Sequence, residues 1–517
     1  MPMRAAEVPL FYNAVDILER NLAARPDKVA LYSSERNPTF REVSNEVNQV
    51  GHALKKLGVR LGDYVGILCL DGPEWVTAFF GVVKIGAIAV GLNTLLKPLE
   101  YDYILRDCRA RVLIVHAMLL PLIEPMRAEQ PFLEHVIVVG ASQPGEINYR
   151  DWITGEPITL DAAPTHRDDF CSLNYSSGTT GEPKGILHVH KDYPLTSHLW
   201  GVNVLGLCES DRTFAAAKLF FTFGTGGNLI FPWYVGASVV LFAGPPRIAT
   251  NMLEMVDKFK PTILYNAPTG YAAMLAVPDF TQKYDLSSLR LCVSAGEALP
   301  APIWQQWKAA TGLDIIDGIG STENYHIFIS NRPGDIRPGS SGKPFEGYEL
   351  KIVDEAGHEV PQGEIGNLLV KSETAAQFYL HQYERSQRTF RGEWLFTGDK
   401  YYVDEDGYYW HAGRSDDMLK VGGIWVSPME VESTLISHPA VLECAVIGRE
   451  DQANLVKPKA FVVLREGYSP SEDMAQTLIQ YCREHMAEYK RPRWLEFVKE
   501  LPKTATGKIQ RFRLREM

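Results

Sequence analysis

The chain has 517 residues, 45% of them hydrophobic and 22% charged, the composition of a folded protein too long for one ordinary core. A formal charge of -11 excludes a general nucleic-acid binder, which needs a net basic footprint. The seven cysteines are scattered, without C-x-x-C or Cys/His ligand spacing; this excludes a zinc framework and fits a reducing cytoplasm.

Asp16 and Glu19 arrive too early for a secretory signal. Thr39 and Glu42 have capping-box spacing, and beyond them Val43, Val47, Val50, Leu54 and Leu57 recur on one helical face until Gly58. Short β-branched runs at Tyr64–Leu70, Val112–His116 and His135–Val139 read as strands. The most apolar stretch, Val76 to Leu92, carries Lys84 and three glycines. It reads as a helix ending near Gly86 and a buried strand at Ala87–Gly91, so no membrane association is expected. This alternation predicts an α/β fold of parallel sheets covered by helices. After the aromatic run Tyr401–Trp410, polar Gly413-Arg-Ser-Asp-Asp417 marks a domain boundary. Ser427, Pro428 and Glu430 then open a new helix. Strands at Val441–Ile447 and Ala460–Leu464, a helix over 472–488 and a strand at Trp494–Val498 follow. The expected division is a large N-terminal domain, 1–414, and a small mobile α/β domain, 415–517. From Gly413 onward the net charge is near +1, against -12 for the rest, and nine basic residues stand against two acidic ones between Lys490 and Arg515. That tail is either a solvated surface or a small basic unit offered to a phosphate-rich ligand.

The strongest local signal is Tyr175-Ser-Ser-Gly-Thr-Thr-Gly-Glu-Pro-Lys-Gly185. Gly178 and Gly181 let the backbone turn tightly and aim its N–H groups at one point. Ser176, Ser177, Thr179 and Thr180 add hydroxyls, and Lys184 adds a positive charge, a combination suited to a polyphosphate. The spacing does not fit G-x-x-x-x-G-K-[ST], which disfavours a P-loop ATPase.

This loop resembles the phosphate loop of the adenylate-forming superfamily, which holds acyl-CoA synthetases, luciferases and peptide-synthetase adenylation domains. Asp317-Gly-Ile-Gly-Ser-Thr-Glu323, Thr397-Gly-Asp399, Gly413-Arg-Ser-Asp-Asp-Met-Leu-Lys-Val-Gly-Gly423 and Pro502-Lys-Thr-Ala-Thr-Gly-Lys508 resemble its later motifs, in order and at similar spacing. The resemblance implies a role for each. Glu323 is a hard oxygen ligand for Mg²⁺ against the triphosphate of ATP. Asp399 accepts the ribose hydroxyls, reinforced by Arg414. Ala295, Gly296 and Glu297 give the adenine a small-residue surface opposite Gly318 and Ile319, with Asp317, Ser321 and Thr322 completing the nucleotide wall. Lys508 stabilises the charge that builds as a carboxylate attacks the α-phosphorus, so Lys508, Glu323 and Lys184 form the implied catalytic set. Similar enzymes then turn the small domain about a hinge, here Asp416. The turn brings Lys420, Gly422 and Gly423 to the active site and leaves room for the pantetheine arm of coenzyme A.

Within the superfamily the chain is most similar to benzoate–CoA ligases, through Ala217–Gly224, Ser294–Pro300, Asp317–Phe328 and Leu501–Gln510. The implied acyl pocket comprises Phe221, Thr222, Phe223, Gly320, Tyr325, His326 and Ile327, a flat apolar slot suited to a benzoate ring. Benzoate ligases show Ala-Tyr at Thr222-Phe223 and smaller apolar residues at Asn324-Tyr325, which points to a substituted ring such as 2-aminobenzoate (anthranilate) or a hydroxybenzoate.

Three readings compete: an AMP-forming aryl–CoA ligase; an adenylation enzyme that loads the thiol of a separate carrier protein; and a non-catalytic nucleotide-binding protein. The third would be marked by loss of Lys184, Glu323, Asp399 or Lys508, and all four are present. A homodimer and a separate acyl-carrier protein stand as candidate partners.

Overall fold

The computed structural model describes residues 3–178, 181–246, 248–414, 417–421, 424–451, 455–503 and 509–517, with the backbone alone at 177, 178, 181, 182, 420, 424 and 425.

Among these residues, two sheets carry most of the N-terminal part. One has the strand order Ile147–Asn148, His135–Val139, Val112–His116, Tyr64–Leu68, Ile88–Gly91, Phe170–Gly178 and Gly181–Val189. It is parallel until its last pair, the antiparallel Phe170–Gly178 and Gly181–Val189 hairpin. The other begins with five parallel strands, from Leu31–Tyr32 through Ser238–Val240, Arg212–Ala215, Ile263–Asn266 and Leu291–Ser294 to a parallel sixth at Ile315–Gly320. Ile327–Ser330 and Lys343–Pro344 then close it antiparallel. Strands buried on both faces read as continuous apolar runs, and Ile88–Gly91 and Leu291–Ser294 are buried throughout.

Local signals explain the helices. Phe40–Lys56 starts at Thr39, whose side chain accepts from Glu42 N while Glu42 returns a bond to Thr39 N, and its buried stripe includes Val43, Val47, Val50 and Leu54. Pro73–Lys84 has Pro73 in its first turn, where a missing N–H costs nothing. Lys84 is buried on it, held by Glu19 and by Asn48. No helix among the described residues is long and apolar enough to cross a membrane.

The expectation of parallel sheets needs one correction. Tyr348–Val353, Gly366–Ser372, Phe390–Arg391, Trp394–Val403 and Tyr409–Arg414 form an entirely antiparallel sheet. The short turn Asp404–Gly407 joins Trp394–Val403 to Tyr409–Arg414, and antiparallel neighbours need no crossover helix.

Beyond it, Leu419–Val421 pairs with Ile424–Val426, and Val441–Glu450, Val456–Leu464 and Trp494–Phe497 make a three-stranded sheet. Pro428–Ile436 is capped by Ser427, which accepts from Glu430 N, and Glu472–His485 by Ser471. The basic tail is not a free cationic surface. Lys490 pairs with Glu430, Lys503 with Glu443, Arg511 with Glu432 and Arg515 with Asp417. Acids distant in sequence thus pair four of the tail's described basic residues, so the charge count of the tail alone overstates its field.

Candidate active site

The motif Tyr175–Gly185, expected to bind phosphate, lies at the end of the hairpin that closes the first sheet. Ser176 lies opposite Lys184, and Gly178 opposite Gly181. Lys184 Nζ donates to Glu323 Oε1 at 2.5 Å and to Tyr379 Oη at 3.0 Å, and the Tyr379 hydroxyl donates to the same Glu323 oxygen at 2.7 Å. The ammonium also sits 4.6 Å from the centre of the Tyr379 ring. Burial pushes the Glu323 carboxyl up, but Lys184 and the bonds from Lys184 and Tyr379 outweigh it and bring it down to about 2. An ionised hard-oxygen donor beside a phosphate-binding hairpin fits Mg²⁺. Ser176 Oγ, buried without a partner among the described residues, fits a phosphate oxygen.

Glu323 is held by a rigid turn. Ser321 caps Thr322–Asn324 by accepting from Asn324 N, and Ala376 N donates to Glu323 O at 2.7 Å. His188, fully buried on the hairpin's second strand, places Nε2 2.7 Å from Thr322 O and Nδ1 2.9 Å from Asp192 Oδ2. The imidazole therefore ties the strand that carries Lys184 to the turn that carries Glu323. Sequence reasoning passed over both His188 and Tyr379, because neither lies inside a motif whose chemistry is local.

The residues expected to face the nucleoside lie where Leu291–Ser294 and Ile315–Gly320 run side by side, with Ser294 opposite Asp317. Gly296 follows at φ +96°, a conformation open to glycine. A Cβ on Gly318 would stand 2.7 Å from Ile329 O, so that strand pairing admits only glycine. Burial pushes the Asp317 carboxyl up to about 8, against bonds from Ser294 and from the Leu299 and Gly318 backbones. Asp399 sits opposite Arg414 on the antiparallel sheet and accepts from Arg414 Nη1 at 3.1 Å, with His411 Nε2 3.4 Å away. Burial raises this carboxyl, and Arg414 and His411 outweigh it, so it lies below the usual range. Glu297 is one of the acids whose charge acts on Arg511, from beyond the expected domain boundary.

The expected acyl-site residues separate into two groups. Phe223 and His326 come together, ring centres 5.4 Å apart, inside a cluster the sequence did not reveal: Trp200 at 4.9 Å and Phe231 at 4.7 Å from His326, and Tyr265 at 5.8 Å from Phe223. A Cβ on Gly226 would stand 2.7 Å from His326 Cδ2, and one on Gly320 2.6 Å from His326 O, so glycines let the backbone approach this imidazole. Ile327 is buried on the next strand. Burial lowers His326 to about 3, with only a bond to Phe223 O opposing it, so the ring is neutral near pH 7. Its Nε2 lies 3.4 Å from Phe223 O, and its Nδ1 is buried without a partner among the described residues. Tyr325 belongs to the second group. At φ +69° its ring packs on His188 and Tyr193, at 5.1 and 5.0 Å, meets Phe231 of the first group at 6.3 Å, and lines a small cavity with Trp75, Ser172 and Leu219. Phe221 packs on buried Phe220, and Thr222 begins the helical turn Thr222–Thr225. Thr179, Thr180, Asp416, Gly422, Gly423 and Lys508 lie outside the described residues, as do the side chains of Ser177 and Lys420.

Two helix-covered sheets, an antiparallel third and a small C-terminal unit around this constellation define a nucleotide-dependent ligase architecture. The chain belongs to the AMP-binding enzyme family: its model matches residues 18–380, and that of the AMP-binding enzyme C-terminal domain matches residues 430–508. It is 47% identical over 515 residues to a benzoate–CoA ligase of Thauera aromatica, covering 99% of this chain and 97% of that one. The crystal structure of the anthranilate CoA ligase AuaEII in complex with anthranoyl-AMP is 70% identical, with a TM-score of 0.98 over 99% of this chain and 98% of that one. A benzoate CoA ligase structure from Burkholderia xenovorans LB400 is 40% identical, with a TM-score of 0.91 over 98% and 100% of the two chains. The protein is thus a ligase of the AMP-forming acyl-CoA synthetase kind, with the α/β fold the motifs imply.

Proposed function

We propose that this ligase is an aryl–CoA ligase that activates anthranilate, joining its carboxylate to AMP and then to coenzyme A. The observation that carries the choice of acid is the geometry of His326, whose Nε2 faces a carbonyl and whose Nδ1 is buried without a partner among the described residues. With Nε2 turned to the Phe223 carbonyl, the neutral ring carries its proton there and leaves a bare lone pair on buried Nδ1. A lone pair in an aromatic pocket accepts from an N–H or O–H substituent and gains nothing from unsubstituted benzoate. The 70% identity to the anthranilate ligase supports the amino group over a hydroxyl.

In this reading the hairpin donors and Lys184 hold the triphosphate, and Asp399 with Arg414 holds the ribose. Glu323 would ligate Mg²⁺, which when bound neutralises phosphate charge. A carboxylate oxygen attacks the α-phosphorus, pyrophosphate leaves, and the Lys508 ammonium offsets the charge that develops. The unit from 415 onward then turns about Asp416, bringing Lys420, Gly422 and Gly423 inward. The thiolate of coenzyme A attacks the aryl carbonyl, and AMP departs. The relatives' acceptor favours free coenzyme A over a carrier-protein thiol. The seven free cysteines support a cytoplasmic setting, and a homodimer remains a candidate assembly.

Anthranilate should show a kcat/KM about tenfold or more above that of benzoate in an AMP-release assay across benzoate, anthranilate and the three hydroxybenzoates. His326→Leu should erase most of that difference while retaining benzoate turnover. A wild-type preference for benzoate would contradict the assignment.

A further inference from the structure

Tyr379 sits 195 residues from Lys184 in sequence yet touches both charged partners of the phosphate site. Its hydroxyl has two roles at once, accepting from Lys184 Nζ and donating to Glu323 Oε1. The phenol is fixed from every side. Tyr379 N donates to Ser386 Oγ at 2.9 Å, the ring packs on Phe390 at 5.1 Å, and the residue is 3% exposed. The segment is also zipped onto the phosphate-loop strand itself: Leu380 N donates to Gly185 O at 2.9 Å, and Gln382 Nε2 to Pro183 O at 3.2 Å.

Lys184 and Tyr379 share a single carboxylate oxygen. An ammonium drawn toward a phosphate divides its three donors between that oxygen and the ligand, and a carboxylate that ligates a cation needs a donor that does not depend on that division. The Tyr379 hydroxyl, anchored independently of Lys184, is the donor that stays. We propose that Tyr379 is a positioning residue of the phosphate site, whose hydroxyl orients Glu323 for the magnesium-bound triphosphate. This rests on the reading of Glu323 as the magnesium ligand. The physical warrant is general: a ligating carboxylate is oriented by its own hydrogen-bond donor, and loss of that donor costs about 10- to 100-fold in metal affinity.

The test is calorimetric and needs no turnover. ATP is titrated into wild type, Tyr379→Phe and Glu323→Gln, once with excess Mg²⁺ and once with EDTA. Phenylalanine keeps the ring against Phe390 and Lys184 and removes only the hydroxyl. Tyr379→Phe is expected to weaken ATP binding about tenfold in Mg²⁺ and to leave binding in EDTA and the KM for the aromatic acid unchanged. Affinity in Mg²⁺ equal to wild type overturns the proposal. So does an equal loss with and without Mg²⁺, which would make Tyr379 a packing element of the hairpin. Glu323→Gln separates the two levels: it should abolish the gain that Mg²⁺ brings. If that gain survives in Glu323→Gln, the metal assignment itself falls and the proposal with it. If only Tyr379→Phe is silent, the assignment of Glu323 stands.

Discussion

Lys508→Ala is expected to slow aryl-AMP formation by about 10²- to 10³-fold while thioester formation from supplied aryl-AMP continues near the wild-type rate. In the first half-reaction nucleophile and electrophile are both anionic, and negative charge builds on the phosphoryl oxygens. Removing one positioned electrostatic stabiliser from such a transition state costs about 3–4 kcal/mol, which sets the fold-change. The second half-reaction releases AMP from a carbonyl and has no such requirement of the same ammonium. Quenched-flow measurement of each half-reaction checks the split. An equal loss in both would assign Lys508 to the general stability of the C-terminal unit, and no loss in the first would remove it from the site.

Asp399→Ala should raise the KM for ATP by about 10²- to 10⁴-fold with little change in the KM for the acid. Two hydrogen bonds to an ionised carboxylate contribute about 1.5–3 kcal/mol each, or ~3–6 kcal/mol for a ribose held through both hydroxyls. The substitution also leaves Arg414 and His411 without the carboxylate they flank. Arg414 is 45% exposed in its side chain and stays hydrated, so the fold should survive. Asp399→Asn, which keeps one acceptor and loses the charge, should fall between. Circular dichroism separates binding loss from misfolding, and an unchanged KM for ATP would make Asp399 a turn residue of its own sheet.

How much of this was legible in the sequence depended on the range of the interactions. The capping box at Thr39 and Glu42, the break after Lys84 and the Ser427 cap are set by residues three or four apart, and the structure has them where the spacing put them. Strand edges moved by a few residues, as at Val456–Leu464, because pairing partners rather than composition decide where a ladder stops. The antiparallel sheet from Tyr348 to Arg414 was not legible as such: its strands carry Lys351, Lys371, Lys400 and Tyr402 among apolar residues, and nothing local announces their shared sheet. The site shows the same division. Contiguous motifs named Lys184, Glu323 and Asp399, whereas Tyr379, Trp200, Phe231 and Tyr265 reach it from other elements, and His188, on the strand of Lys184 but beyond the motif, joins it through a contact 134 residues long. Tyr325 adjoins His326 in sequence, and its positive φ turns its ring toward His188 and Tyr193, an orientation that nothing local in the sequence announces.

The proposed first step is attack of an aromatic carboxylate on the α-phosphorus of ATP at a site built from the Lys184 hairpin and Glu323. It is tested most directly with anthranilate labelled with ¹⁸O in both carboxylate oxygens, turned over with ATP, Mg²⁺ and coenzyme A. Attack by the carboxylate yields AMP carrying one ¹⁸O atom and unlabelled pyrophosphate. Label in inorganic phosphate, or AMP free of ¹⁸O, would contradict it.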